Sequence, residues 1–118
     1  VMGRYEDHRG VIQDMFGTDT FEGPIDAVTH ITTYAGEVRG NHLHEKTTQW
    51  TMVLSGRLEM ASGGTVTEMK PGMIVRHVPH DPHAWKAIDD TVCLVFTRGP
   101  RSGDNYETDT IRLEEPLL

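Results

Sequence analysis

The chain has 118 residues, of which 36% are hydrophobic and 25% are charged, and its formal net charge is −7 with a pI near 5.4. We therefore expect one domain with a compact core, and the acidic balance argues against binding to nucleic acid or to an anionic membrane. The longest apolar runs, such as 91–97, are only as long as a strand, so no segment is predicted to cross a bilayer. The single cysteine, Cys93, cannot form a disulfide within the chain, which favours a reducing, cytoplasmic location.

Glycine and proline recur at short intervals, and the runs between them are rich in Val, Ile, Thr and aromatic residues. No run has an apolar pattern of helical period over three turns, so the pattern predicts an all-β sandwich or barrel of short strands. The predicted strands are 11–16, 26–34, 38–44, 49–55, 57–62, 65–69, 73–78, 83–88, 91–98 and 106–113. The segment 105–118 is predicted either as a strand exchanged with a second subunit or as a partly ordered end.

Three histidines and one glutamine stand at spacings that suit a metal site. His42 and His44 are two residues apart, so both imidazoles lie on one face of a strand. Gln49 comes from the next strand and His83 from a later one. Three imidazoles and an amide oxygen suit a divalent first-row metal, although Gln49 could instead hold a histidine or a water beside the ion. Because an amide is neutral, such a site keeps the full charge of the ion and favours an anionic ligand.

These residues carry a resemblance to the cupin superfamily. The segment 36–56 matches its first signature, G-x5-H-x-H-x4-E-x6-G, at every interval, with Gln49 in place of the glutamate. The segment 72–87 resembles the second signature, G-x5-P-x-G-x2-H-x3-N, and contains His83. Three positions depart from that pattern and concern turn geometry: Val78, His80 and Ala87. The chain is identified as a small RmlC-like cupin, and the resemblance implies a double-stranded β-helix, a jelly-roll-like barrel, as a single cupin domain over 1–118.

The metal-binding type of this family implies one divalent ion, Mn, Fe, Ni, Zn, Co or Cu, held by His42, His44, Gln49 and His83. Arg39 precedes the first ligand by three residues and is the candidate clamp for a substrate carboxylate or phosphate. Trp85 shares a face with His83 by alternation and is predicted to wall the substrate pocket.

The predicted strand 26–34 carries His30, Thr32 and Tyr34 on one face, because side chains alternate along a strand. Two interpretations stay open for this row. It faces the interior and supplies hydrogen-bonding groups near the metal, with Tyr34 or His30 as the proton carrier of catalysis, or it faces solvent.

Several functions stay open, because a fold does not fix a reaction. The first is a metal-dependent isomerase, epimerase or lyase that acts on a small sugar, sugar-acid or keto-acid substrate. The second is a metal-dependent dioxygenase, similar to quercetinase-like cupins. The third is a non-catalytic cupin that binds a small molecule. In all three the partner is a small molecule, and a homodimer is expected because exposed sheet edges need cover.

A metal-free alternative follows from a second resemblance. The segments 7–10 and 38–42 look like the D-x-R-G and R-G-x-H segments of nucleotide-sugar epimerases and ketoisomerases in the same superfamily. In those enzymes the histidine that matches His42 is a catalytic base and no metal is used. They generally lack a histidine that matches His83, so its presence here favours the metal.

Overall fold

The structure is a computed structural model that describes residues 4–16, 20–21, 23–99 and 108–118. These residues form eleven strands in three sheets, which confirms the all-β prediction. The strands are β1 (Arg4–Asp7), β2 (Gly10–Gln13), β3 (Ala27–Thr33), β4 (Val38–His44), β5 (Thr48–Ser55), β6 (Leu58–Ser62), β7 (Thr65–Met69), β8 (Ile74–His77), β9 (His83–Ala87), β10 (Thr91–Arg98) and β11 (Thr110–Arg112). Among the described residues there is no helix long and apolar enough to span a membrane.

Two sheets form the jelly-roll-like sandwich. One has the strand order β3-β10-β5-β8 and the other β11-β4-β9-β6-β7, with antiparallel pairing throughout. Val53, Cys93 and Val95 from the first sheet pack against Met60 and Trp85 from the second. In the part of the chain that the structure describes, no strand pairing joins the two sheets, so the predicted barrel is an open sandwich.

A second apolar cluster covers the outer face of the four-stranded sheet. Trp50 and Met52 alternate with the inward side chains of β5, and Phe96 lies beside them on β10. The segment that follows β2 supplies Phe16 and Phe21 to this cluster, with ring centroids 4.6 and 5.2 Å from that of Phe96. Because these large side chains pack outside, the inner face of β5 and β10 is left for smaller and polar groups near the site.

Both ends of the chain differ from the prediction. The predicted strand 11–16 is β2, which ends at Gln13 and pairs with β1, a strand that the sequence pattern did not predict. The predicted strand 106–113 is the shorter β11, and residues 100–107 lie outside the described residues. The described C-terminal residues are tied to their own chain, because β11 pairs with β4 and the Leu117 N–H donates to Asn41 Oδ1 at 2.7 Å.

Candidate functional site

The three predicted histidine ligands meet at one end of the sandwich. The ring centroid of His42 lies 4.8 Å from that of His44 and 4.9 Å from that of His83, and the last two rings are 5.5 Å apart. One ligand nitrogen of each ring lies within 4.8 Å of the others. His44 and His83 are buried and His42 is half-buried. This arrangement is compatible with a metal site.

A bulge in β4 places His42 opposite His83 on β9. The register between β4 and β9 shifts between Gly40 and His42, so Asn41 is the extra residue and His42 pairs with His83. Gly40 has φ 93° and Asn41 has φ 56°, both in the left-handed region. A Cβ at Gly40 would lie 2.8 Å from the carbonyl oxygen of His83 and 2.9 Å from the Cα of Ala84, so only glycine fits there.

The hydrogen bond of His83 fixes its tautomer. Its Nδ1 lies 3.0 Å from the carbonyl oxygen of Asp81, which can only accept, so Nδ1 carries the proton and Nε2 carries the lone pair. Burial lowers the pKa of His83, which keeps the ring neutral. The Nε2 atom is buried and has no hydrogen-bond partner among the described residues. In metal-ligating histidines one ring nitrogen likewise donates its N–H to an acceptor, and the lone pair of the other nitrogen is left for the ion.

A buried carboxylate lies behind His44. Asp109 is 4% exposed, and its Oδ2 is 3.6 Å from His44 Nδ1, while Thr110 Oγ1 is 3.3 Å from the same nitrogen. The carboxylate accepts the Lys46 N–H and the Thr47 hydroxyl, each at 2.6 Å. Sequence reasoning missed Asp109, because no local spacing relates it to the histidines; only the pairing of β11 with β4 does.

Gln49 lies beside a fourth buried histidine. It is 5% exposed and pairs with His77 across β5 and β8. His77 stacks on His83 with centroids 4.1 Å apart and an interplanar angle of 13°. Burial, reinforced by the neighbouring histidines, lowers the pKa of His77 to about 2. Its two nitrogens are taken by Thr51 at 3.2 Å and Ser62 at 2.9 Å, which removes it from the set of metal ligands.

A cavity of about 160 Å³ adjoins the cluster. It is lined by Ile31, Arg39, Gly40, His42, Gln49, Trp85 and Val95. Arg39 donates from Nε to Thr33 Oγ1 and from Nη2 to the Thr32 carbonyl oxygen, both at 2.9 Å. Trp85 donates from Nε1 to the same Thr33 hydroxyl at 3.4 Å. The structure therefore brings Arg39 and Trp85, the two predicted substrate-binding residues, to the wall of one cavity.

His30 and Tyr34 lie away from this cavity. The residues of β3 alternate as expected, but Ile31 and Thr33 face inward, because Ile31 packs against the apolar core. His30 is exposed and Tyr34 is 72% exposed. The structure thus corrects the expectation that one of them carries a proton beside the metal; of the two interpretations, it supports the solvent-facing row.

The D-x-R-G segment lies on the exposed hairpin of β1 and β2. Arg9 is 78% exposed and donates to Asp7 with an Nη2 to Oδ2 distance of 2.6 Å. Each of these two residues therefore has its partner in the hairpin itself, and neither lines the cavity next to the histidines.

Residues 29–97 match the family model of the cupin domain, Cupin_2, and the chain belongs to this family. No curated protein matches the sequence.

Solved structures share the fold. QdtA, a sugar 3,4-ketoisomerase from Thermoanaerobacterium thermosaccharolyticum solved in complex with TDP, has a TM-score of 0.75 and 21% identity over 96% of this chain and 85% of its own. A dTDP-4-dehydrorhamnose 3,5-epimerase from Sulfolobus tokodaii has a TM-score of 0.72 and 16% identity over 91% of this chain and 70% of its own. The capsular polysaccharide assembling protein CapF from Staphylococcus aureus has a TM-score of 0.63 and 19% identity over 75% of this chain and 28% of its own. At these identities the similarity establishes the RmlC-like fold.

Proposed function

We propose that His42, His44, Gln49 and His83 bind one divalent transition-metal ion, and that the chain uses it to isomerise, epimerise or cleave a small oxygenated substrate. The observation that carries this proposal is the bare Nε2 of His83, which is buried without a hydrogen-bond partner among the described residues and belongs to a cluster of three imidazoles. A buried acceptor without a partner is unfavourable, and a metal ion would satisfy it. Neutral imidazoles and an amide oxygen suit Mn, Fe, Co, Ni, Cu or Zn.

The electrostatics of the cluster bear on the substrate. Three imidazoles and the Gln49 amide bring no negative charge to the ion. Two carboxylates lie behind the ligands, Asp109 behind His44 and Asp81 behind His83, and they would offset only part of the double charge of the ion. A substrate that presents an anionic oxygen would therefore be favoured over a neutral one.

When bound, the ion would supply Lewis acidity, which polarises a substrate carbonyl and favours negative charge on its oxygen. Arg39 has five N–H groups and gives one from Nε to Thr33 and one from Nη2 to Thr32, so others remain to orient a carboxylate or phosphate. Trp85 and Val95 supply an apolar wall that excludes water from the reacting atoms.

The size of the cavity limits the substrate. Its volume of about 160 Å³ is well below the roughly 300 to 1,000 Å³ of pockets that enclose drug-sized ligands. A sugar, sugar acid or keto acid fits this scale, whereas a nucleotide would have to lie outside the cavity. The similarity to a sugar ketoisomerase and a sugar epimerase supports a sugar-type substrate.

A metal-free sugar isomerase or epimerase is the second candidate. The R-G-x-H resemblance and the similarity to the ketoisomerase and the epimerase favour it. In this case His42, which lines the cavity, would act as the base that removes a proton from the substrate carbon next to a carbonyl. Removal of metal separates the two candidates, because only the first loses turnover.

Metal content tests the proposal directly. Protein purified without chelating resin is measured by elemental analysis, beside His44→Ala, His83→Ala, Gln49→Ala and the control His8→Ala, which changes an exposed histidine of the hairpin. We expect His44→Ala and His83→Ala to abolish retention and Gln49→Ala to weaken it less, because an amide oxygen is the poorest donor of the four. A wild type that retains no more metal than His44→Ala would contradict the metal site.

Turnover assays then separate the chemistries. Aldoses, ketoses, sugar acids and keto acids are incubated with and without a chelator, and with and without oxygen. Conversion that persists without oxygen and stops with the chelator supports the proposal. Conversion that resists the chelator supports the metal-free enzyme, conversion that requires oxygen supports a dioxygenase, and binding without conversion supports a binding protein.

A further inference from the structure

A row of buried and half-buried polar side chains runs from the predicted amide ligand to an aspartate beside the cluster. Gln49 Nε2 lies 3.1 Å from Thr51 Oγ1, which lies 3.2 Å from His77 Nε2. On the other side of the ring, His77 Nδ1 lies 2.9 Å from Ser62 Oγ, and Ser62 Oγ lies 2.9 Å from Asp81 Oδ2. Four consecutive hydrogen bonds therefore connect Gln49 to Asp81.

The chemistry of these groups allows one direction for the whole row. The Asp81 carboxylate only accepts, so Ser62 donates its single hydrogen to it and must accept from His77 Nδ1. His77 is 1% exposed, and its two nitrogens contact the neutral hydroxyls of Thr51 and Ser62. A buried ring with neutral partners carries no charge, so it has one N–H, at Nδ1, and Nε2 is left to accept from Thr51. Thr51 has then used its hydrogen and must accept from the Gln49 NH₂ group.

We infer that this one-way row fixes the Gln49 amide with its nitrogen toward Thr51 and its oxygen toward the cavity that it shares with His42, and that Thr51 and His77 are positioning residues for the metal site. The two ends of a glutamine amide are otherwise nearly equivalent and are assigned from their partners. With the nitrogen assigned, Oε1 is the donor available to an ion. The role of this oxygen rests on the proposed function, whereas the direction of the row does not.

The same aspartate also orients a histidine ligand. The carbonyl oxygen of Asp81 accepts from His83 Nδ1 at 3.0 Å, and its Oδ1 accepts the Gly63 N–H at 3.1 Å. Gln49 and His83 are thus both oriented from Asp81, the first through the row and the second directly. A substitution that removes the Thr51 hydroxyl frees the Gln49 amide and leaves the hydrogen bond of His83 intact, so the effect of the row can be measured alone.

Substitutions at Thr51 provide the first test. Thr51→Val removes the hydroxyl and keeps the shape, and Thr51→Ser keeps the hydroxyl. Thr97→Val is the matched control, because Thr97 is 1% exposed, pairs with Gln49 on the neighbouring strand, and has a hydroxyl without a partner among the described residues. Calorimetric titration with Co²⁺ should give a dissociation constant about 10- to 100-fold higher for Thr51→Val. The other two variants should remain within about threefold of the wild type.

The tautomer of His77 provides a test that needs no metal. Imidazole ¹⁵N shifts of the metal-free protein should show a neutral His77 protonated at Nδ1, and Thr51→Val should shift the side-chain NH₂ resonances of Gln49. Protonation at Nε2, or a Thr51→Val variant that folds and binds Co²⁺ as tightly as the wild type, would overturn the inference. A wild type that binds no Co²⁺ would overturn the proposed function instead. In that case, or if Thr51→Val does not fold, the His77 tautomer still decides the direction of the row.

Discussion

The substitution Asp109→Asn should weaken metal binding without removing any ligand. In the wild type, Asp109 Oδ1 accepts the Lys46 N–H, and Oδ2 accepts the Thr47 hydroxyl and lies 3.6 Å from His44 Nδ1. An asparagine can keep the bond from Lys46, but its NH₂ group then faces Thr47 and His44. Two N–H donors cannot face each other, so the proton of His44 would move to Nε2, the nitrogen that the ion requires.

The expected magnitude follows from these contacts. Loss of a partner that orients a ligating histidine raises the metal dissociation constant about 10- to 100-fold, which is about 1.4 to 2.7 kcal/mol. The short bonds from Lys46 and Thr47 add a structural effect, and weakening one charge-assisted hydrogen bond should lower the free energy of unfolding by about 1 to 2 kcal/mol.

The assay is calorimetric titration with Zn²⁺ or Co²⁺, combined with urea unfolding of the metal-free protein. Asp90→Asn is the control, because Asp90 also accepts a backbone N–H, that of Ala35, at 2.8 Å. It precedes β10, and because Thr97 at the far end of β10 pairs with Gln49, Asp90 lies at the end of the sandwich away from the site. If Asp109→Asn binds metal as tightly as Asp90→Asn, the carboxylate does not orient His44 and this reasoning is refuted.

Three further predictions concern the scaffold. Gly40→Ala should lower the free energy of unfolding by about 2 kcal/mol more than Gly36→Ala. Both glycines have φ near 90°, but only at Gly40 would a Cβ meet backbone atoms. Equal losses of stability for the two variants in urea unfolding would contradict the bulge. Metal-free protein should lose stability as the pH falls below 6.5, because the unfolded chain takes up a proton that buried His77 does not. This residue should contribute a slope of about 1.4 kcal/mol per pH unit to the free energy of unfolding. His77→Gln should remove that contribution in urea titrations between pH 7.5 and 5. An unchanged slope would argue against a buried neutral ring. Burial raises the pKa of Cys93 to about 11. A thiol reagent at pH 7.5 should therefore label Cys93 in the urea-unfolded protein but not in the folded protein. Rapid labelling of the folded protein would contradict the burial of this thiol.

Much of the strand pattern was readable from the sequence. The predicted bounds 38–44, 65–69 and 91–98 coincide with β4, β7 and β10. A glycine-containing turn borders each of these strands: Gly36 lies before β4, Gly99 follows β10, and β7 has glycines in the turns at both of its ends. The strand β1 escaped prediction, since Arg4–Asp7 has no apolar alternation and is exposed throughout. Its partner is the neighbouring strand β2, not the core.

The site was readable only in part. The spacing of His42, His44 and His83 predicts their convergence, because they lie at the matching positions of two known signatures. Alternation along β3 separates two rows of side chains, but it cannot say which row faces inward. The packing of Ile31 against the core decides that, and it leaves Tyr34 outside.

The residues that surround the ligands could not be predicted at all. Asp109 and Asp81 reach the histidines through the pairing of β11 with β4 and through the turn before β9. Ser62 reaches them because the end of β6 lies beside His83. These contacts depend on how distant segments pack, and no local pattern in the sequence encodes them.

The most direct measurement is X-ray absorption on protein loaded with one equivalent of Co²⁺ or Zn²⁺. We predict scattering from three imidazole rings with oxygen filling the remaining positions, and two rings in His42→Ala. A spectrum with oxygen donors alone, or one that is identical in the wild type and His42→Ala, would contradict a metal ion held by the three histidines.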